Sequence, residues 1–377
     1  TPVEQYGKFE ASIDLSASYT NPYDYTQVSV QATFTGPGIS QTVDGFFMQD
    51  YTLDTNTGNL SLVGNGTFRV RFAPPVAGDW SFTVSVSDQT GTATSDSYAF
   101  LVTEALSPNN HGFLRTGNHH YLDFDDGTPF IAIGENMAWQ NSNPYLNYSA
   151  WLEGLIQNGG NFIRLWHAHW GLGIEWKSGN GFQGLRQYKQ SNCFYQDWLF
   201  DFCAEQGVYV MLTLQHHGQV SSQVNPNWSE SPYNSANGGM CAGTVDFFTN
   251  EAAKAATRNR FRYVVARWAY ARSVLCWELF NEVHWTDNFE ANKELVAEWH
   301  IEMAEYLKAI DPEQRIVTTS YGESTSDEAV WSDPNIDLTQ THLYLNVPNI
   351  EQALAKGNRT FLETFDKPTL NGEFGLG

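Results

Sequence analysis

The stretch VLCWELFNEVHW, residues 274–285, decides how the second half of this 377-residue chain folds. Residues 274–280 form a nearly continuous apolar run, which is typical of a buried strand in a parallel sheet. Asn281 and Glu282 follow the run at once, and His284 and Trp285 come next. A strand that ends in an amide, a carboxylate and aromatic rings predicts a functional site at its carboxyl end.

A rhythm of strand, loop and helix surrounds this stretch from residue 113 onward. Predicted strands span 130–134, 162–166, 208–215, 274–280, 316–319, 338–344 and 369–373, and predicted helices span 148–157, 194–205, 251–271, 290–310 and 350–365. Alternating β and α units indicate a parallel sheet. We therefore predict an α/β domain over 113–377, a (β/α)8 TIM barrel whose eighth strand is absent from the sequence. A doubly wound open sheet is the alternative, but no Gly-rich phosphate loop follows the first strand.

Residues 1–104 follow a different period. QVSVQATFTG, TFRVRFAP and WSFTVSVSD alternate apolar and polar residues, and TNTGN, GNG and SDQTG are typical turns. We predict an all-β, immunoglobulin-like sandwich that acts as an accessory domain. Residues 105–112, in the segment EALSPNNHG, form the predicted linker to the barrel.

Composition limits the partners of the chain. Lysine and arginine number 20 against 42 acidic residues, a net charge of −22, so a nucleic acid would be repelled. No stretch reaches the roughly 18 to 20 apolar residues of a membrane span, so we expect no membrane insertion. The first residues, TPVEQYGKFE, look like a processed end. We expect a secreted protein, extracellular or periplasmic.

Cysteine and histidine patterns give little sign of a metal or a disulfide framework. Four cysteines are present; Cys193 and Cys241 lie near loop segments and are candidates for a disulfide, with two free thiols as the alternative. The HAH motif at 167–169 has a spacing that a metal could use, but no third ligand is evident. We expect no metal and no cofactor.

Polar and aromatic residues recur where the predicted strands end. The seven ends read GENMAW, RLWHAHW, LQHHG, LFNE, SYGE, THLY and NGEFG. Because the carboxyl ends of barrel strands surround one mouth, these residues are expected to meet there. Glu135, Glu175 and Glu323 also lie near strand ends and are expected to be rim acids or ligand-binding residues.

These ends resemble a known family. WELFNE (277–282) and PTLNGEFG (368–375) resemble the fourth- and seventh-strand motifs of clan A retaining glycoside hydrolases, family 5 in particular. NFIRLW (161–166), LTLQHHG (212–218) and THLY (341–344) resemble that family's second, third and sixth strands. The first hundred residues resemble the small β-sandwich that precedes some catalytic domains of secreted polysaccharide-degrading proteins.

The resemblance implies a retaining glycosidase that cleaves β-glycosidic bonds of a polysaccharide or oligosaccharide by double displacement. It makes Glu282 the acid/base and Glu373 the nucleophile. Asn281 would bind the sugar 2-hydroxyl. Arg164 would keep Glu373 ionised; as an alternative, it is a buried ion-pair partner of Glu278.

The remaining candidates are expected to line the sugar site. Tyr344 would touch the nucleophile, and His342 and His216 would line the pocket, although His217 could be the inward-facing residue instead. Aromatic platforms for sugar rings are expected among tryptophans at the strand ends. These are Trp139, Trp166, Trp170, Trp176 and Trp285.

Two features leave room for other readings. A non-catalytic carbohydrate-binding or assembly protein on a degenerate glycosidase fold would keep the aromatic residues but need not keep both glutamates. The missing eighth strand would leave an open seam between strands 130–134 and 369–373. We expect a further chain or a C-terminal segment to complete the barrel there.

Overall fold

The structure is a computed structural model that describes residues 2–117, 120–322 and 327–375. The strands of the amino-terminal part are β1 (Val3–Glu4), β2 (Phe9–Ile13), β3 (Val28–Gly36), β4 (Ile39–Asp44), β5 (Phe46–Leu53), β6 (Leu60–Phe72), β7 (Gly78–Asp88), β8 (Gly91–Thr94) and β9 (Tyr98–Thr103). They are followed by β10 (Leu114–Thr116), β11 (Leu122–Phe124), β12 (Pro129–Phe130), β13 (Gly134–Asn136), β14 (Phe162–Trp166), β15 (Tyr209–Thr213), β16 (Val274–Glu278), β17 (Ile316–Thr318), β18 (Thr339–Tyr344) and β19 (Thr369–Gly375). The helices are α1 (Pro144–Gln157), α2 (Gln190–Gln206), α3 (Asp246–Thr249), α4 (Glu251–Trp268), α5 (Phe289–Ile310), α6 (Glu328–Trp331) and α7 (Ile350–Phe365).

The amino-terminal domain is all-β and contains two sheets. One has the strand order β1-β9-β7-β3-β4, with β8 paired to β7, and the other has the order β2-β6-β5. Alternating residues of both sheets point into a shared core. Phe34 of β3 stacks on Phe72 of β6 with ring centroids 4.3 Å apart, and Trp80 of β7 is buried beside them.

The second domain is a TIM barrel built from parallel strands in sequence order. Strands β13 to β17 form one ladder and β18 and β19 form another. The two ladders are joined where the Asp337 N–H donates to the Val317 carbonyl at 2.9 Å and the Thr318 hydroxyl donates to the Leu338 carbonyl at 2.7 Å. Buried β15 and β16 have the continuous apolar pattern that predicted them.

The prediction that the first barrel strand spans 130–134 is wrong in position. Phe130 belongs instead to a small antiparallel sheet, β10-β11-β12, whose Phe124 and Phe130 pack on Tyr209 at the amino-terminal ends of the barrel strands. The barrel strand starts at Gly134. A Cβ at that position would lie 1.7 Å from the Phe162 carbonyl oxygen, so only glycine permits this close pairing with β14.

A groove separates the first and last barrel strands of the described chain. It has a volume of about 750 Å³ and lies between β13 on one side and β19 and α7 on the other. Ile131 is 70% exposed and Phe374 is 57% exposed at its edges. The Asn136 side chain crosses it by donating to the Gly372 carbonyl at 3.0 Å.

The all-β domain packs against helices α2 and α4 of the barrel through buried charges. Arg71 of β6 donates to Asp197 of α2 at 2.7 Å, and Arg267 of α4 donates to the same carboxylate at 2.6 Å. Arg262 of α4 forms a two-point contact with Asp44 of β4 at 2.6 and 2.7 Å. These arginine and aspartate side chains are largely removed from water. The two domains therefore bury their charged residues in one shared interface.

The disulfide considered between Cys193 and Cys241 is absent, and both residues are free, buried thiols. Cys193 lies on α2 within the packed core, whereas Cys241 lies in a loop whose backbone bridges to Asn234. The two thiols therefore belong to different elements. Burial raises the pKa of Cys193 to about 11 and that of Cys241 to about 12. Neither is therefore a reactive thiolate at neutral pH.

Within the described ranges, no helix has the length and apolar character of a membrane span.

Candidate active site

Charged residues meet at the carboxyl ends of the barrel strands. Arg164 lies on β14, Glu278 on β16 and Glu373 on β19, while Asn281 and Glu282 lie three and four residues after the end of β16. Parallel strands bring these ends to one mouth, which places residues 209 positions apart in the chain within hydrogen-bonding distance.

Arg164 is the centre of this arrangement, and its side chain is fully buried. Its Nε and one terminal nitrogen donate to the two oxygens of Glu278, both at 2.7 Å. Its remaining N–H groups donate to Asn281 Oδ1 at 2.7 Å, Asn136 Oδ1 at 3.2 Å and Glu373 Oε1. All five donors are used, so both alternatives for Arg164 hold: it pairs with Glu278 and it orients Glu373.

Glu282 and Glu373 face each other across the mouth. One oxygen of each carboxylate and a ring nitrogen of His342 lie within 4.8 Å of one another. Tyr344 donates to Glu373 Oε2 at 2.7 Å, and His342 Nδ1 lies 3.1 Å from Glu282 Oε1. The burial of the Tyr344 phenol and the adjacent Glu373 carboxylate raise the pKa of Tyr344, so it remains a donor.

The backbone at Glu282 is strained. Its φ of 46° and ψ of 53° fall in the left-handed region, which is uncommon for a residue with a Cβ. A short 3₁₀ turn, Val283–Trp285, follows, and the Glu282 N–H is held by the Ser320 hydroxyl at 3.0 Å. This turn directs the Glu282 carboxylate towards Glu373.

The electrostatics of Glu282 combine opposing effects. Burial is the largest single effect and raises the pKa of the carboxyl, but the hydrogen bond from His342 and the electrostatic interactions with His342, His217 and His284 together lower it more, so that the pKa lies below its ordinary value. His342 fits beside the acid because Gly372 has no side chain: a Cβ there would lie 2.7 Å from His342 Nε2. The NGEFG motif therefore supplies Glu373 and, through Gly372, also leaves room for the histidine that bonds to Glu282.

The two adjacent histidines after β15 point in different directions. His217 Nδ1 lies 3.3 Å from Asn281 Nδ2, and its Nε2 lies 3.1 Å from Asn225 Oδ1. His216 is buried among aromatic rings, with Trp170 at 5.0 Å, and its Nε2 has no partner within the described part of the chain. His217 therefore orients Asn281, and His216 is the residue with a free ring nitrogen.

The predicted tryptophans form two groups. Trp139, Trp170 and Trp285 are each 39% exposed, and Trp139 contacts Trp166 and Trp170 edge to face at 5.3 and 5.5 Å. These four can offer apolar faces to a ligand. Trp176 is 5% exposed and stacks on His169 at 4.0 Å, so it supports the wall of the mouth instead of offering a face.

The three acids expected at the rim of the mouth lie in different environments. Glu135 is exposed on β13 and lines a cavity of about 890 Å³ together with Trp139, Tyr344 and Glu373. Glu175 is buried, with Arg260 at 3.8 Å, and is no rim acid. Glu323 lies outside the described residues.

No sequence pattern points to Asn136 or Thr213, and Glu278 is predicted only as the alternative partner of Arg164. Thr213 donates to Glu278 Oε2 at 2.6 Å, which completes the contacts of that buried acid. Alternation along β16 was a signal for Glu278, since positions 278 and 282 share a face in an extended strand. Nothing in the sequence distinguishes Thr213 from other polar residues at strand ends.

Glu282, His342 and Glu373 are also close enough to hold a cation. However, Arg164 donates to Glu373 Oε1 and Tyr344 donates to Glu373 Oε2, so both oxygens of this carboxylate already accept a hydrogen bond. His167 of the HAH motif bonds to Gln196 at 2.8 Å, whereas His169 stacks on Trp176. The donor sets therefore suit hydrogen bonding better than metal ligation.

Comparisons with known proteins agree with this architecture. The sequence profile described as cellulase (glycosyl hydrolase family 5) matches residues 124–377, and one described as a domain of unknown function, DUF5060, matches residues 2–87. No curated protein sequence matches the chain.

Solved structures show the same fold at low identity. A protein of Bacteroides vulgatus ATCC 8482, named as a candidate glycoside hydrolase, aligns with a TM-score of 0.69 at 18% identity, over 98% of this chain and 64% of that one. A glycoside hydrolase family 5 mannosidase of Rhizomucor miehei aligns with a TM-score of 0.52 at 14% identity, over 70% and 73% of the two chains. The chain spans less than two thirds of the length of the Bacteroides protein. With the family profile matching 254 of 377 residues (124 to 377), the chain belongs to glycosyl hydrolase family 5.

Proposed function

We propose that the chain hydrolyses β-glycosidic bonds with retention of configuration at the anomeric carbon. The observation that carries this proposal is the pair of carboxylates, Glu282 and Glu373, whose nearest oxygens lie within 4.8 Å. Retaining glycosidases place their two carboxyl groups about 5 to 5.5 Å apart, whereas inverting enzymes need about 6.5 to 9.5 Å to admit a water.

In the first step, a carboxylate oxygen of Glu373 attacks the anomeric carbon while Glu282 gives its proton to the departing glycosidic oxygen. The bond between the anomeric carbon and that oxygen breaks, and a glycosyl ester of Glu373 remains. Arg164 and Tyr344 each donate to one oxygen of Glu373 and align its carboxylate for the attack, which supports its role as nucleophile.

In the second step, the Glu282 carboxylate takes a proton from water, and the water oxygen attacks the anomeric carbon. The ester bond to Glu373 breaks, and both carboxyl groups return to their starting states. Asn281, fixed by Arg164 and His217, would bind the 2-hydroxyl of the sugar during both steps.

The substrate we propose is a polysaccharide or oligosaccharide. The exposed faces of Trp139, Trp170 and Trp285 support this proposal, because sugar rings pack their C–H faces on aromatic surfaces. We also propose that the protein is secreted, and that a further chain or a C-terminal segment covers the groove between β13 and β19.

Azide rescue tests the mechanism. Glu373→Ala should abolish turnover of an aryl β-glycoside, and azide should restore it with an α-glycosyl azide as product. Glu282→Ala should retain the first step on substrates with good leaving groups, because these need little protonation. Glu290→Ala, which removes an exposed carboxylate of α5, is the control. Proton NMR of the first-formed sugar anomer decides between retention and inversion.

A panel of aryl β-glycosides and soluble polysaccharides decides whether the chain is an enzyme at all. If the wild-type protein binds a polysaccharide but hydrolyses no member of the panel, the non-catalytic carbohydrate-binding alternative replaces this proposal. Inverted product from the wild-type protein would refute the double displacement.

A further inference from the structure

A second pocket lies between the two domains, away from the paired carboxylates. It has a volume of about 300 Å³, at the lower end of the range for small-ligand sites, about 300 to 1,000 Å³. One wall comes from strands β5 and β6 of the all-β domain, and the other comes from barrel residues 181–191, which lead into α2. The lining residues used below are Gln49, Tyr51, Leu62, Gln183, Gln187 and Ser191.

The floor of this pocket is fixed by the Gln190 carboxamide. Its Oε1 accepts from Arg267 at 2.9 Å and from the Gln49 backbone N–H at 3.2 Å, so the same side chain links both domains. Its Nε2 donates to the Tyr263 hydroxyl at 2.9 Å. A second link, from the Asn21 amide to the Arg186 carbonyl at 3.1 Å, holds the barrel segment against the other domain. The pocket is therefore formed before any ligand arrives.

Several polar side chains of the walls have no partner. The Tyr51 hydroxyl, the Gln183 and Gln187 carboxamides and the Ser191 hydroxyl make no hydrogen bond among the residues that the structure describes. Burial raises the pKa of Tyr51, so its hydroxyl stays protonated. Carboxamides and hydroxyls each donate and accept, which suits a ligand that presents many hydroxyl groups.

The pocket also has apolar surface and one positive charge. Leu62 is 63% exposed, and the Tyr51 ring is held edge to face against Phe194 at 5.7 Å. The Lys189 ammonium donates to the Asn180 carbonyl at 3.0 Å and lies 4.6 Å from the centre of the Phe182 ring. Its charge is therefore directed to groups of its own segment, and the net charge of −22 repels polyanions.

The barrel segment connects this pocket to the proposed active site. Trp176 lies on the wall of the active-site mouth, and its carbonyl accepts from the Gly184 N–H at 3.1 Å. Residues 183 and 187, on either side of Gly184, line the interdomain pocket. The chain from Trp176 to residue 191 thus contributes to both sites, with Trp176 on the active-site wall and residues 181–191 on the wall of the interdomain pocket.

We infer that the pocket between β5, β6 and residues 181–191 binds a sugar unit of a neutral glycan. Only the choice of a glycan as ligand rests on the proposed function. The bound unit belongs either to the chain that occupies the active site or to a neighbouring glycan chain, and both sources present the same hydroxyl groups. The all-β domain then takes part in substrate binding through a surface that it shares with the barrel.

Affinity gel electrophoresis of the full chain tests this inference. The probes are glucomannan, barley β-glucan and arabinoxylan as neutral polymers, and polygalacturonate as an acidic one. We expect at least one neutral polymer to retard the wild-type protein, and Gln183→Ala/Gln187→Ala to weaken that retardation at least about threefold. Tyr51→Phe, which removes a single hydroxyl, should weaken it less. Gln352→Ala, on an exposed position of α7, should bind as the wild type does.

Rates separate this site from the proposed active site. Hydrolysis of a small aryl glycoside should be unchanged in the double variant, because the aryl glycoside does not reach the pocket. If the KM for a short oligosaccharide also rises in the double variant, the pocket and the active site hold the same glycan chain. If only the retardation by polymer changes, the pocket holds a neighbouring glycan chain. Absence of all hydrolysis would refute the proposed function without affecting the retardation result.

The inference is overturned if no neutral polymer retards the wild-type protein, or if the double variant, with an unchanged melting temperature, binds like the wild type. Retardation by polygalacturonate alone, lost in Lys189→Met, would also overturn it, since the ligand would then be an acidic polymer.

Discussion

The buried carboxylate of Asp197 should decide whether the two domains can be separated. It accepts from Arg71 of the all-β domain at 2.7 Å, from Arg267 at 2.6 and 3.1 Å, and from the Trp268 indole at 2.8 Å. One negative charge thus compensates two arginines that are removed from water, one from each domain. Arg71 also donates to Glu10 at 2.7 Å.

Removing either side of this cluster should have unequal effects. Arg71→Met leaves Asp197 paired with Arg267, so the loss should lie at the lower end of the cost of breaking a buried pair, about 3 kcal/mol. Asp197→Asn leaves two buried guanidinium groups without their shared counter-charge, so we expect about 5 kcal/mol. Lys8→Met, which breaks the more exposed contact between Lys8 and Asp201, should cost less than about 1 kcal/mol.

Urea unfolding followed by tryptophan fluorescence measures these free energies. Wild type and variants should each unfold in a single transition, since the buried cluster joins the domains. A loss below about 1 kcal/mol for Arg71→Met, or a smaller loss for Asp197→Asn than for Arg71→Met, would refute the reasoning. Two separate transitions in the wild type would show that the interface does not couple the domains.

Other variants test individual contacts. Tyr344→Phe removes a hydrogen bond to the Glu373 carboxylate, worth about 1.5 to 3 kcal/mol, so kcat/KM should fall about tenfold to a hundredfold without a change in melting temperature. His342→Phe removes the donor that lowers the pKa of Glu282. That pKa should then rise, and the high-pH limb of kcat/KM should move to higher pH; a shift to lower pH would contradict this. Burial raises the pKa of Glu313 to about 8. The folded state therefore keeps a proton that the unfolded chain has lost, and stability should fall between about pH 4.5 and 8, by about 5 kcal/mol. Glu313→Gln should remove this fall, as thermal unfolding at pH 5 and 9 would show.

Sequence patterns were sufficient wherever a local signal matched the tertiary environment. The long helices have predicted and observed bounds within a few residues, and α5 and α7 match within one residue because their apolar periodicity is pronounced. Residues 162–166 form the predicted strand with the same bounds. The ends of β16 and β19 bring Glu282 and Glu373 together because the carboxyl ends of parallel strands meet at one mouth of a barrel.

The failures come from interactions between distant residues. The apolar run 130–134 resembles a strand, but Phe130 is needed against Tyr209 beneath the barrel, which moves the strand to Gly134. The shared use of Arg164 by Glu278 and Glu373 depends on guanidinium geometry that no spacing reveals. Cys193 was considered for a disulfide on its position in the chain, yet it lies inside a packed helix.

The left-handed backbone of Glu282 has a consequence for how such a protein can change over time. A non-glycine residue in this conformation costs about 1 kcal/mol or more, and glycine would adopt it freely. Selection for thermal stability alone would therefore favour losing the carboxylate at position 282. A screen that enriches only heat-resistant clones would tend to accumulate inactive variants with Glu282 replaced. A screen that also requires turnover would keep Glu282 and select stabilising substitutions at other positions.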